Sequence, residues 1–292
     1  MTLQNIQTLL REQGYITDDT VAMSVFLSIT LNKPLLIEGP AGVGKTEIAK
    51  VMARALDTDL IRLQCYEGLD ASHALYEWNY QAQLLHLKAH EREEANVIEK
   101  NIFSERFLLK RPLLQAITHH KAPVLLIDEV DRSDEEFESF MLEVLSDWQI
   151  TIPEIGTIKA THKPYVVVTS NRVRELSEAL RRRCMYMYVG YPSFEKELEI
   201  IKTKVPQIDA ELGREITAFM QELRKQKFSK IPGIAESLDW AQALAAMHLD
   251  HLDKSVVEAT LGIILKDWQD IRTTSTALSE LLDKVGIVSK VG

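Results

Sequence analysis

Cysteine is scarce. Only Cys65 and Cys184 occur in 292 residues, far apart and outside any CxxC pair. That argues against a disulfide scaffold or a cysteine-ligated zinc site and suits a reducing cytoplasm. Long apolar runs are missing too: no stretch approaches the roughly 20 residues that span a bilayer. The opening MTLQNIQTLLREQG has no basic n-region followed by an apolar core, so no secretory signal is expected. The sequence therefore predicts a cytoplasmic protein without a transmembrane segment, leaving open peripheral attachment at the inner membrane through a partner. A basic excess is also lacking. Acidic residues number 43 against 34 basic, a net charge of −9, which opposes broad binding to phosphate backbones; no nucleic-acid partner is expected. Internal repeats and low-complexity tracts are absent, as are N-K-x-D and T-K-x-D, the sequences that read guanine.

What is present is alternation. Five short apolar runs read as buried strands: LLIE (35–38), LIRLQCY (60–66), VLLID (124–128), YVVVTS (165–170) and MYMYVGY (185–191). Helical periodicity lies between them, as in TEIAKVMARAL (46–56) and DEEFESFMLEVLSDW (134–148). The pattern predicts an α/β fold, a parallel five-stranded sheet between helices. After Pro192 only helical periodicity remains. We therefore expect an α/β core over 1–191 and a small all-helical domain over 192–292. The segment 67–104, with Tyr76, Trp78 and Tyr80 and then a charged stretch, reads as a helix with an aromatic start, or as an insertion facing a partner.

The chemistry concentrates in a few places. Gly39, Pro40, Ala41, Gly42, Val43, Gly44, Lys45 and Thr46 match G-x-x-x-x-G-K-[ST] at every fixed position, between a strand and a helix, with Glu47 following in the same expected phosphate-binding stretch. Small residues let backbone N–H groups curl around phosphate oxygens, and the helix start adds its dipole. Lys45 offers a mobile charge to the β- and γ-phosphates, and Thr46 a hydroxyl ligand to Mg²⁺. In VLLIDEVDR, Asp128 ends a buried strand and is placed to hold Mg²⁺ through water, with Glu129 as general base. An Asp-Glu pair also serves as a favourable helix start. Asn171, directly after the apolar strand YVVVTS, is placed to bond the γ-phosphate or the attacking water; it also suits an ordinary turn. Arg181, Arg182 and Arg183 cannot all serve one intramolecular site. They read as a solvated basic turn, a nucleic-acid contact, or an arginine offered to a neighbour's nucleotide.

In order, GPAGVGKT, LLIDEVDR, VVVTSNR and ALRRRC followed by helices resemble the AAA+ ATPases. Within them the chain resembles the MoxR group, whose hairpin between the acidic-motif helix and the next strand would be QITIPEIGTIKA (149–160). LIRLQCYEGLD, ALYEWNY, FLLKRPLLQAI and GIAESLDWAQAL are similar to the branch associated with maturing aerobic molybdenum–copper carbon monoxide dehydrogenase. The resemblance implies ATP and Mg²⁺ as cofactors, Asn171 as first sensor, Arg183 as the arginine finger with Arg182 second, and Tyr15 and Ile16 against the adenine. It also implies a homo-oligomeric ring, commonly a hexamer, a partner with a von Willebrand factor A domain, and that dehydrogenase as client. One departure stands out: the lid arginine expected soon after Gly233 is missing, with no Arg or Lys before Lys254. That absence leaves open a nucleotide-gated scaffold without productive hydrolysis, and the run Arg181 to Arg183 leaves open a nucleic-acid-remodelling ATPase. Cys65 and the pair His119–His120 read most simply as an idle thiol and an exposed turn.

Overall fold

The computed structural model describes residues 2–90 and 101–287. By contacts between residues the chain forms two compact units. The first holds residues up to Leu9, then Asp18–Glu38 and Thr46–Tyr188; the second holds Leu10–Thr17, Gly39–Lys45 and the described residues from Val189 onward.

The first unit is built on a parallel sheet of β1 (Leu35–Glu38), β2 (Leu60–Gln64), β5 (Val124–Asp128), β8 (Tyr165–Ser170) and β9 (Met185–Tyr188), in the order β2-β5-β8-β1-β9. The central strands β1 and β5 are buried at every position, as strands covered on both faces must be. The helix Asp19–Leu31 packs against β1 and β9, and Pro112–Ile117 against β2 and β5. The first of these is capped by Asp18, whose side chain accepts from Val21 N. The α/β fold with a parallel five-stranded sheet, flanked by helices and followed by a helical region, is thus the observed one.

Two strands end earlier than their apolar runs suggest. β9 stops at Tyr188 rather than 191 because its partner β1 ends at Glu38, opposite Tyr188. β2 stops at Gln64 rather than 66 because Gln64 lies opposite Asp128, the last residue of β5. In the segment 67–104, the expected helix begins at the aromatic Tyr80, and an unexpected strand precedes it. Tyr76–Trp78 forms β3 and pairs antiparallel with β4 (Leu108–Lys110). The Trp78 ring meets Phe103 edge-on at 5.4 Å. A helix follows over Tyr80–Ala89, capped by Asn79; positions 91–100 of this segment lie outside the described residues. Between the helix Glu135–Asp147 and β8, strands β6 (Gln149–Ile152) and β7 (Gly156–Lys159) pair as an antiparallel hairpin.

The second unit packs the helices Phe194–Lys204, Ala210–Leu223, Ile234–Ala246, Lys254–Ile264 and Trp268–Lys284 around Phe219, Trp240, Leu261 and Leu278. Its core also holds an ion pair. Arg224 Nη1 and Nη2 grip the Glu197 carboxylate at 2.5 and 2.7 Å, both side chains almost fully buried. Arg224 also donates to Pro232 O and Gly233 O and to Ser237 Oγ, and its guanidinium lies over the Tyr191 ring. The cation is satisfied entirely within the helical unit.

Candidate functional site

At the C-terminal ends of β2, β5 and β8 the sheet gathers a set of polar side chains, where open parallel sheets bind ligands. Asp128 ends β5, 3% exposed, yet its carboxylate is densely bonded. Thr169 Oγ1 donates to Oδ1 at 2.5 Å, Thr46 Oγ1 to the same oxygen at 3.2 Å, and Arg62 Nε and Nη2 to Oδ2 at 3.0 and 2.6 Å. Glu129 follows in left-handed backbone, φ 56 and ψ 49, which is costly for a non-glycine residue and held here by Thr169 Oγ1 accepting from Glu129 N at 2.9 Å. Three side chains converge on the Glu129 carboxylate: Asn171 Nδ2 at 3.1 Å, Gln64 Nε2 at 3.2 Å and Arg132 Nε at 2.7 Å.

The sequence-predicted Thr46, Asp128, Glu129 and Asn171 are therefore brought together. Five partners were not picked out by motif: Arg62, Gln64, Arg132, Thr169 and Asp131. Buried Asp131 accepts from Asn171 N at 3.1 Å and from Val173 N at 2.8 Å, so it fixes the loop that carries Asn171. Its signal was the acid three places after Asp128 in VLLIDEVDR.

Among the described residues no cluster of three or more His, Cys, Asp or Glu could hold a metal by itself. Magnesium does not ask for one, since it is commonly held by one or two protein oxygens plus substrate phosphates. A threonine hydroxyl and an aspartate carboxylate 3.2 Å apart are hard oxygen donors that fit it.

The loop 39–45, expected from its motif to hold phosphate, belongs to the second unit. Gly42 and Gly44 adopt φ 76 and 91, positions a side chain would strain. Lys45 is buried, and its Nζ donates to Gly39 O at 2.7 Å and Pro40 O at 2.6 Å. The helix Lys45–Ala55 starts there, and Glu47 pairs with Arg54 at 3.0 Å. Against the loop lies the start of the helix Ile234–Ala246. Ala235 N donates to Gly42 O at 3.1 Å, and Glu236 closes a capping box on Gly233 N at 2.9 Å. This is where the missing lid arginine would be sought, and a carboxylate stands there instead. Tyr15 and Ile16, both half-buried, sit between the helices Leu3–Glu12 and Asp19–Leu31, with Tyr15 N bonded to Leu10 O.

The arginine run divides. Arg181 reaches buried Glu38 at 3.2 Å, Arg182 pairs with Glu178 at the surface, and exposed Arg183 bonds only its own helix through Ala179 O among the contacts seen. Cys65 is buried, and burial together with the charges of Asp128, Asp131 and Glu129 pushes its thiol up to about 12. His119 bonds Asp59 and Lys121 O and stacks on His120.

A family model described as the AAA domain, dynein-related subfamily, matches residues 34–184, just over half of the chain. The chain belongs to that subfamily. Gas vesicle ATPase GvpN of Haloferax mediterranei is 25% identical to this AAA-domain protein over 239 residues, covering 78% of the chain and 66% of that relative, just under two thirds. Gas vesicle ATPase GvpN2 of Halobacterium salinarum is 26% identical over 288 residues, covering 94% and 80%. An uncharacterised protein of Staphylococcus haemolyticus is 25% identical over 223 residues, covering 74% and 78%. Among solved structures, a variant of RuvB from Thermotoga maritima superposes with a TM-score of 0.51 at 17% identity, covering 94% of this chain and 83% of that one. That likeness is one of fold. Among the described residues no helix is long and apolar enough to cross a membrane.

Proposed function

We propose that this AAA-domain protein is a magnesium-dependent ATPase of the MoxR type, working as a remodelling or maturation chaperone. The observation that carries the reading is the carboxylate pair after β5, Asp128 bonded to Thr46 and Glu129 bonded to Asn171 Nδ2. Backbone strain at Glu129 is what a site that must aim one carboxylate would retain. In this reading the amides of the loop 39–45 and Lys45 take the phosphates, and Tyr15 and Ile16 line the adenine. Thr46 and Asp128 hold Mg²⁺, which when bound neutralises charge on the phosphates. Glu129 accepts the proton of the attacking water, and Asn171 orients that water. Arg183, free of any ion pair in the contacts described, is the arginine offered to a neighbouring subunit, and Arg182, paired only at the surface, is the second choice. Arg181 is committed to Glu38 and is not the finger.

A finger acting in trans needs a neighbouring subunit, and the resemblance to the AAA+ ATPases makes that assembly a ring, commonly of six subunits, with 1–191 as core and 192–292 as lid. We assign as client an aerobic molybdenum–copper carbon monoxide dehydrogenase, approached with a von Willebrand factor A domain partner through the hairpin 149–160 and the segment 67–104. The support for the client is likeness in LIRLQCYEGLD, ALYEWNY, FLLKRPLLQAI and GIAESLDWAQAL. The word ATPase in the names of the gas vesicle relatives supports hydrolysis and is silent on this client. The nucleic-acid reading is not favoured: two of the three arginines are paired within the chain, and the net charge is −9.

The test is Glu129→Gln. ATP binding should persist while steady-state turnover falls at least a hundredfold, within the range general-base loss produces. Turnover at the wild-type rate would remove Glu129 from the mechanism. The ATP-trapped variant, used as bait in cells that make the dehydrogenase, should retain it; its absence there would remove that client while leaving the ATPase reading intact.

A further inference from the structure

Arg62 lies on β2 two residues before Gln64, and both side chains are on the exposed face of that strand. The Arg62 guanidinium does not point to solvent alone. Nε and Nη2 both donate to one oxygen of Asp128, Oδ2, while Nη2 also donates to Gln64 Oε1 at 2.5 Å. Thr46 and Thr169 take the other oxygen, Oδ1. Every lone pair that a magnesium-bound water would seek on Asp128 thus faces a donor, and the donor on Oδ2 is a full positive charge. A guanidinium and a hydrated Mg²⁺ cannot share that oxygen, by charge or by volume. The ion pair joins a half-exposed arginine to a buried carboxylate, 51% against 4% exposure, so Arg62 can swing out on its own stem without opening the core.

We propose that Arg62 is a built-in competitor for the magnesium site: it neutralises Asp128 when the metal is away and must be displaced when the metal arrives. The proposal rests on the reading of Thr46 and Asp128 as magnesium donors. It makes Arg62 the residue that sets how much Mg²⁺ nucleotide binding requires, and it gives the strand stretch LIRLQ a role that the phosphate-loop and acidic motifs do not supply. Gln64 fits the same device, because it contacts both the departing guanidinium and Glu129. Displacement of Arg62 is then felt at the carboxylate assigned as base.

The test is equilibrium binding of a fluorescent ADP analogue, titrated with Mg²⁺ over a fixed nucleotide concentration, in wild type, Arg62→Met, Arg62→Gln and Arg132→Gln. Arg132 pairs with Glu129 and not with Asp128, so it controls for the loss of any nearby positive charge. In both Arg62 variants the half-saturating Mg²⁺ concentration should fall about tenfold, the scale of one charge-assisted pair; in Arg132→Gln it should move less than twofold. Thermal unfolding checks that each variant is folded, and either Arg62 variant suffices. An unchanged or raised Mg²⁺ requirement in a folded Arg62 variant would overturn the proposal, as would an equal fall in Arg132→Gln. If binding in wild type and all variants ignores Mg²⁺, the magnesium reading of Thr46 and Asp128 itself fails.

Discussion

Replacing Gly233 by alanine isolates one contact. The backbone there, φ −90 and ψ −168, is open to any residue, so the substitution brings no conformational strain of its own. What it brings is a methyl group 2.6 Å from Gly42 O, 2.7 Å from Gly42 C and 2.8 Å from Gly42 Cα. Relief to ordinary contact, near 3.5 Å, moves the helix start and the phosphate loop apart by about 0.8 Å. The bond from Ala235 N to Gly42 O, now 3.1 Å, then lengthens to about 3.9 Å and is lost. Overpacking of this kind costs about 1–3 kcal/mol and the lost bond about 1 kcal/mol, so about 2–4 kcal/mol in all. The melting temperature should fall by roughly 3–7 °C. Displacing the loop should also weaken binding of a fluorescent ADP analogue at least tenfold, since misplacements near 1 Å are severe at such sites. Gly262→Ala is the internal control: it sits inside the helix Lys254–Ile264, its methyl would meet nothing within 4 Å, and it should stabilise by about 0.5–1 kcal/mol. A Gly233→Ala protein that melts within 1 °C of wild type and binds nucleotide equally well would refute the close-approach argument.

Arg224→Met should destabilise by about 3–5 kcal/mol, because it strands the Glu197 carboxylate, 0% exposed, without its cation. Adding Glu197→Leu to that variant should recover part of the loss in denaturant titrations, and no recovery would place the damage elsewhere than the pair. The two cysteines should resist alkylation in the folded protein. Burial holds Cys184, and burial with the acidic cluster holds Cys65, up to about 12, so at pH 8 the thiolate is about one part in ten thousand, against about a quarter for a free cysteine. Iodoacetamide labelling followed by mass spectrometry should find both unmodified until denaturant is added. Raising the pH from 7 to 9 should change little in the native state, since both pH values lie far below the raised pKa.

The sheet was legible because its signal is local. Buried parallel strands are short apolar runs bounded by turns, and LLIE, VLLID and YVVVTS stand where β1, β5 and β8 lie. Strand ends were not legible, because they depend on where the partner strand stops. Nor was β3: Tyr76–Trp78 becomes a strand only through Leu108–Lys110, some thirty positions away in sequence and invisible to any periodicity. The site divides in the same way. Thr46, Asp128, Glu129 and Asn171 sit in motifs whose spacing is fixed by one strand and its following turn. Their partners come from register: β2 runs parallel to β5 with Gln64 opposite Asp128, which carries Arg62 and Gln64 to the acidic pair. LIRLQ itself gave no warning, since a strand buried at Ile61 and Leu63 ordinarily alternates them with polar residues such as Arg62 and Gln64. On an edge strand such polar residues usually face solvent alone. Here Arg62 and Gln64 reach the acidic pair at the C-terminal end of the sheet, and Arg62 becomes a partner of the buried Asp128 carboxylate. Reading that partnership requires knowing which strand is the neighbour, so the residue that most plainly touches Asp128 was the one the motifs could not name.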